Sequence, residues 1–277
     1  MKNKIVWSAF LIFFTFENFA GIISTTPAIT EIIYELGGVD KVVGVSDYCT
    51  YPDIVKKLPK VGTAITPNYE MILKLRPKFV LTQSMQDGRF ENRLKKMGIS
   101  TVGIRINKYQ DILEAIRVIK EKLELKENKI VETILERQKT LESHKRKGTY
   151  ALSVNTQVKG GYATALLLAG DDTFLAEVVN FTGLKNIASD FKGYGNMTME
   201  SLLKKNPDYL FVMMGEQKQK NHSKDSFIQN TFKKIKGKNQ KTKILYFNAP
   251  YTLIPSSRIR KTMNDLHRKL KEEDLKP

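Results

Sequence analysis

Two carboxylates occupy matching points of a repeated segment. Residues 70–81 read EMILKLRPKFVL and residues 200–211 read ESLLKKNPDYLF. Aligned without a gap, they share Glu70/Glu200, Leu73/Leu203, Lys74/Lys204 and Pro77/Pro207, and Phe79/Tyr209 and Val80/Leu210 agree in character. Asn68 and Thr198, both good N-cap residues, stand two places before each glutamate. A carboxylate so placed can serve the macrodipole of its own helix. It can also offer directional hydrogen bonds to a cationic partner. Each copy reads as a short capped helix, a proline stop and a buried strand. A unit repeated 130 residues apart implies two similar lobes, each with a glutamate at the corresponding point.

The other reactive residue types form no comparable pattern. Asp171 and Asp172 are adjacent carboxylates, but their place before an apolar helical stripe reads as capping. Cys49 is the only cysteine and has no histidine beside it. Gly160-Gly161 lacks a dinucleotide fingerprint, and neither a nucleophile elbow nor a phosphate loop is present. The three histidines, His144, His222 and His267, show no ligand spacing and read as surface residues, so no metal site is expected. No catalytic residue is assigned, and the chain is read as a non-enzyme. A secreted α/β enzyme with a cleft active site is the alternative of another class. A structural surface module is a third reading, but it needs neither a cleft nor matched glutamates.

Composition bounds these readings. A chain of 277 residues, 41% hydrophobic and 27% charged, can bury a sizeable core. Lys2 and Lys4 precede an apolar run from Ile5 to Phe16, with Ala20 closing a cleavage region, so residues 1–20 read as a secretory signal too short to span a bilayer. No cysteine follows it to carry a lipid, and the expected address is the periplasm. Removing the signal takes away two positive charges and one negative, leaving +16 of the +17 net charge. That charge favours anionic partners. Export and the lack of a nucleic-acid motif argue against nucleic acid. The lysine-rich stretch 218–243 reads as a solvated surface excursion.

The elements that must position the glutamates alternate strand and helix. Ile22–Ser24 leads into a helix begun at Pro27, and Gly37-Gly38 stops it. Strands follow at 41–45, 79–81 and 101–104, with a helix at 89–97 between the last two. About forty residues of helical pattern come next, with a phase slip near 125–128. The second helix of this stretch, over 126–147, would be about 30 Å long and stiff. Strand Thr149–Val154, a glycine loop, a helix ended by Gly183, the second repeat copy, strand 243–247 and a closing helix 258–270 complete the chain. The expected fold is α/β: two Rossmann-like lobes with mostly parallel sheets, 21–125 and 148–277, joined by one long helix with a cleft between them.

Four blocks in this order resemble the periplasmic substrate-binding proteins of ABC importers for cobalamin, iron-siderophore chelates and haem. They are IISTTPAITEIIYELGGVDKVVGVSDYCTYP, NYEMILKLRPKFVL, LAEVVNFTGLKNIA and MTMESLLKKNPDYLFV, and the resemblance covers roughly 22–270. Residues 21–275 would form one such binding domain. The resemblance implies ligand binding between the lobes. It also implies that one glutamate per lobe, here Glu70 and Glu200, pairs with arginines of the ABC permease membrane subunits.

The cleft is expected to be lined at the carboxyl ends of the strands, with Thr26, Tyr48, Gln83, Leu167, Tyr194, Tyr162 and Arg258 as contacts. Where cobalamin binders carry tryptophans, this chain is nearer Ala64 and Gln83, and its only tryptophan, Trp7, lies in the signal. The remaining tyrosines and the positive charge suit an iron-siderophore chelate or haem, with cobalamin as the alternative. No resident cofactor is implied, because iron or cobalt would travel with the ligand. The expected protein is a monomer.

Overall fold

The computed structural model describes residues 21–63, 65–84, 87–214, 223–235 and 241–275. The signal over 1–20, Ala64, His222 and parts of the lysine-rich stretch lie outside the described residues. The first sheet joins β1 (Ile22–Ser24), β2 (Val42–Val45), β3 (Phe79–Gln83) and β4 (Thr101–Ile104) in the order β2-β1-β3-β4, every pair parallel. Its helices are α1 (Pro27–Glu35), α2 (Tyr69–Leu75), α3 (Arg89–Lys96) and α4 (Tyr109–Lys122). Helix α5 (Ile130–Ser143) leads to the second sheet and, at about 21 Å, is shorter than the sequence pattern suggested.

The second sheet is mixed. Strands β5 (Thr149–Lys159), β6 (Tyr162–Ala169), β7 (Lys185–Asn186), β8 (Tyr194–Thr198), β9 (Tyr209–Met213) and β10 (Lys243–Phe247) run in the order β10-β9-β5-β6-β8, with β7 beside β5. The pairs β10–β9 and β9–β5 are parallel, whereas β5–β6 and β6–β8 are antiparallel. The glycine loop of the sequence reading is therefore the turn of a β5–β6 hairpin, with Gly160 and Gly161 at φ +59° and +80°. Helices α6 (Phe174–Asn180), α7 (Met199–Lys205), α8 (Ser223–Ile235) and α9 (Ile259–Asp274) cover this sheet. Where a solvated excursion was expected, α8 buries Ile228 and Phe232.

Side-chain alternation along the strands sorts the core into three layers. Ile23 and Val80 face α2 and α3 through Ile72, Phe90 and Leu94. Ala151, Leu210 and Val212 face α7 and α8 through Leu202, Ile228 and Phe232. The alternate residues Ile22, Leu81, Tyr150, Leu152 and Phe211 all join one central cluster, with Ile32 of α1, Ile116 of α4, Ile134 of α5, Val178 of α6 and Leu266 of α9. The two sheets thus share a helical layer. Each such apolar side chain contributes about 1.5–3 kcal/mol on burial.

One ion pair crosses this layer between residues 227 positions apart. Glu31 of α1 and Arg258, just before α9, are 1% and 4% exposed. The Arg258 Nε donates to Glu31 Oε2 at 2.9 Å, and its terminal nitrogen donates to the other carboxylate oxygen. Ser256 Oγ donates to the same carboxylate, and the guanidinium lies 4.0 Å from the Tyr51 ring centre. Arg260 pairs with Glu35 one turn further along. Removing one partner of a buried pair strands the other charge, whereas removing both leaves a packing problem only. Arg258→Met is expected to cost about 3–5 kcal/mol. Glu31→Leu combined with Arg258→Met should recover most of that loss in urea denaturation. Equal destabilisation of the single and double variants would refute this account of the pair.

Candidate functional site

Helix polarity fixes where the repeated glutamates stand. A helix crossing between parallel strands runs against them, so it begins at the carboxyl edge of its sheet. α2 enters β3 and α7 enters β9, and both are seven residues long. Asn68 Oδ1 accepts the Met71 amide at 2.9 Å, and Thr198 Oγ1 accepts the Ser201 amide at 3.2 Å. Each helix closes on a left-handed residue, Arg76 at φ 44° and Asn206 at φ 41°, immediately before its proline. The two units are equivalent in three dimensions. Glu70 and Glu200 sit in the first turns and are exposed. Glu200 pairs with Lys204 at 2.8 Å, and that ammonium holds its carboxyl below the usual range. The pair is fully solvated, so a cationic partner can replace Lys204 readily.

The carboxyl ends of both sheets meet. The loop after β2 supplies Tyr51 and the segment after β10 supplies Arg258, which stack at 4.0 Å. At the far side, the Phe174 amide of α6 donates to the Asn107 carbonyl before α4 at 3.2 Å, and the Tyr109 amide donates to Glu177 Oε2. Around this junction stand Thr26 after β1, Tyr48 after β2 and Gln83 at the end of β3. Tyr48 is 70% exposed, and Thr26 caps α1 by accepting the Ile29 amide at 3.4 Å. A hollow of about 500 Å³ lined by Ser84, Ile104, Arg105, Asp111 and Ala115 adjoins the end of β3.

The second sheet contributes Leu167 and Tyr194 on one face. Leu167 opposes Asn196, and Ala169 opposes Tyr194. Tyr194 is 46% exposed, and burial together with the Asp172 carboxylate pushes its phenol up. The same register brings up Asn155, which opposes Leu167, and Gln157, whose Nε2 donates to Asn196 Oδ1 at 3.3 Å. Asn155 and Gln157 lie beyond Val154, where the sequence pattern ends the strand, and Asn196 lies on β8, which the sequence pattern does not announce. The glycine pair between two strand-like runs was the signal for the hairpin.

Two expected contacts lie elsewhere. Tyr162 sits at the hairpin tip with Lys234 of α8 4.3 Å over its ring. Arg258 is interior and committed to Glu31, so it is corrected from a ligand contact to a structural residue. Other expectations also change. Thr173, not the aspartates, caps α6. Asp171 accepts from Asn180 and Asn186, and Asp172 accepts the Gly193 amide at 2.8 Å, ordering the approach to Tyr194. His144 and His267, distant in sequence, bring their rings to 4.7 Å. Among the described residues, no group of three or more His, Cys, Asp or Glu could hold a metal ion. Nor is any described helix long and apolar enough to cross a membrane.

Residues 22–234 match the model of a family described as periplasmic binding protein. An uncharacterized ABC transporter substrate-binding lipoprotein of Bacillus subtilis strain 168 is 32% identical over 208 residues, covering 70% of this chain. The chain spans 63% of that relative's length. A vitamin B12-binding protein of Vibrio campbellii is 29% identical over 228 residues, 76% of this chain and 78% of its own. Among solved structures, the periplasmic haem-binding protein of Vibrio cholerae superposes with a TM-score of 0.74 at 20% identity, covering 91% of this chain and 99% of that one. The last likeness establishes the α/β fold.

The equivalence of the two capped helices has a measurable consequence. Asn68→Ala and Thr198→Ala should each cost about 1 kcal/mol in urea denaturation. A loss at one cap only would mean that the two units are held in place by different interactions.

Proposed function

The chain belongs to the periplasmic binding protein family, and from that premise we propose that it captures a metal chelate outside the cytoplasm and delivers it to the permease of an ABC importer. The observation that carries this reading is the pair of equivalent rim carboxylates, Glu70 and Glu200, beside the junction of the two sheets' carboxyl ends. Packing gives no reason for either side chain, since both are exposed. Two carboxylates on separate rigid helices define an orientation, and arginine reads such groups bidentately.

Capture falls to Thr26, Tyr48, Gln83, Leu167 and Tyr194, which combine apolar surface with hydroxyl and amide groups. Haem, an iron-siderophore chelate and a corrinoid are the ligand classes in view, in keeping with the vitamin B12-binding and haem-binding relatives. On this reading the protein acts as a monomer in the periplasm and carries no resident cofactor, because the metal arrives and leaves with the ligand.

Two measurements test the proposal. Titration of the full chain with haem, a ferric siderophore and cobalamin should quench tyrosine fluorescence with at least one of them. Well-folded protein that binds none would refute capture. Glu70→Lys combined with Glu200→Lys should abolish uptake while leaving ligand affinity unchanged, because the glutamates stand outside the contact set. Uptake that survives the double change would refute docking through these residues.

A further inference from the structure

Strand β5 outruns the parallel ladder. Its last partner on β9 is Val212, opposite Ser153, yet it continues to Lys159 and returns as β6. The register with β6 slips at this point: Ser153 opposes Leu168, and Asn155 opposes Leu167. In a regular strand, residues 153 and 155 share a face. The bulge breaks that rule and turns Asn155 to the opposite face. Leu168, Leu166 and Met197 belong to the outer core under α7 and α8. Asn155, Leu167 and Asn196 therefore form a row on the other face, with Gln157, Ala165 and Thr198 as the next row and Ala169 and Tyr194 flanking them.

The hydrogen bonds on this face are directional. Asn155 Oδ1 accepts the Thr156 amide at 2.9 Å, and Asn196 Oδ1 accepts from Gln157 Nε2 at 3.3 Å. Among the described residues, that leaves the Nδ2 groups of Asn155 and Asn196 as donors and Gln157 Oε1 as an acceptor, all three residues being exposed. The only ionisable side chain in these rows is the Tyr194 phenol, whose proton is held more tightly than usual. The first-sheet contacts Thr26 and Gln83 carry no ionisable group, the buried Arg258 is committed to Glu31, and Arg105, in the hollow beside β3, faces Asp111 at 3.9 Å.

We propose that Asn155, Gln157 and Asn196 are specificity-determining residues: a carboxamide row that favours chelates edged with uncharged amide-type groups over chelates edged with carboxylates. This rests on the cleft being the ligand site, and it adds the polarity that the site selects. An amide edge offers the free carbonyl oxygens that two Nδ2 donors need, and the metal-bound oxygens of a neutral ferric hydroxamate still accept hydrogen bonds. A carboxylate must surrender its hydration to the neutral donors of this row, which is costly.

The test uses the full chain and three probes: cyanocobalamin with its amide fringe, a ferric trihydroxamate of zero net charge, and ferric haem with its propionates. At least one uncharged probe should bind about tenfold or more tighter than haem. Asn155→Ala combined with Asn196→Ala should weaken that probe by about tenfold and change haem binding much less. Asn196→Asp, which keeps the shape and removes the donor, should weaken it in the same direction if the double variant folds poorly. Haem binding tightest, or an unchanged neutral probe in both variants, would overturn the selectivity. Tyr194→Ala separates the failures. If it weakens binding while the carboxamide variants do not, the cleft stands and the row is wrong. If no probe binds the parent chain, both fall.

Discussion

The arrangement of the two halves depends on a buried ion pair placed in an apolar layer. Both sheets lay one face on the same helices, and apolar contact of that kind is non-directional. Ile32, Ile116 and Leu266 alone would tolerate a rotation or slip of one half against the other. The Glu31–Arg258 pair does not, because a planar guanidinium meets a carboxylate with two parallel bonds in one orientation. Buried pairs add little net stability, since desolvation consumes most of the Coulombic gain. Their effect is to make alternatives expensive: any shift that separates the partners leaves a charge in the interior. Ser256 and Tyr51 complete the coordination from the two halves, so the junction of the carboxyl ends is held in one geometry.

That geometry gives the rim its meaning. Two glutamates fix a docking orientation only if the distance between them is constant, and constancy has to come from the layer below. The α2 and α7 units reproduce one another down to the left-handed residue before each proline. Each therefore delivers its glutamate to the edge of its own sheet independently. The shared core and the ion pair then set the spacing. The expected long connecting helix is not required for this: α5 is fourteen residues long and packs against α9 as another member of the central layer.

How much of this is legible in the sequence depends on the range of the interaction concerned. The repeat, its caps and its prolines are local, and the residues announce them. The parallel strands follow from apolar runs separated by helical stripes. The hairpin was half legible: Gly160-Gly161 marks a turn, but Asn155-Thr156-Gln157 is too polar to read as strand when its exposed face cannot be known. The bulge that re-aims Asn155 is set by pairing with β6 and leaves no local mark. Arg258 reads in isolation as a cation near a cleft. Its partner lies 227 positions away, and burial, which sequence does not reveal, decides its role. The His144–His267 contact escapes for the same reason.

The net charge of +17 acts on a different scale from the cleft. Spread over an exterior rich in lysine, it shapes encounters across about a Debye length, 8–10 Å, and concentrates anions of every kind near the protein. Selection happens at contact, where water has been removed and only the groups on the wall count. On the face proposed for selection those groups are hydroxyls, carboxamides and a leucine, while the buried Arg258 guanidinium is paired with Glu31. Composition sums charges without placing them, so it bears on the approach of anions and leaves the retained ligand open. On the selectivity proposed above, the basic exterior bears on approach, and the carboxamide row bears on what is retained.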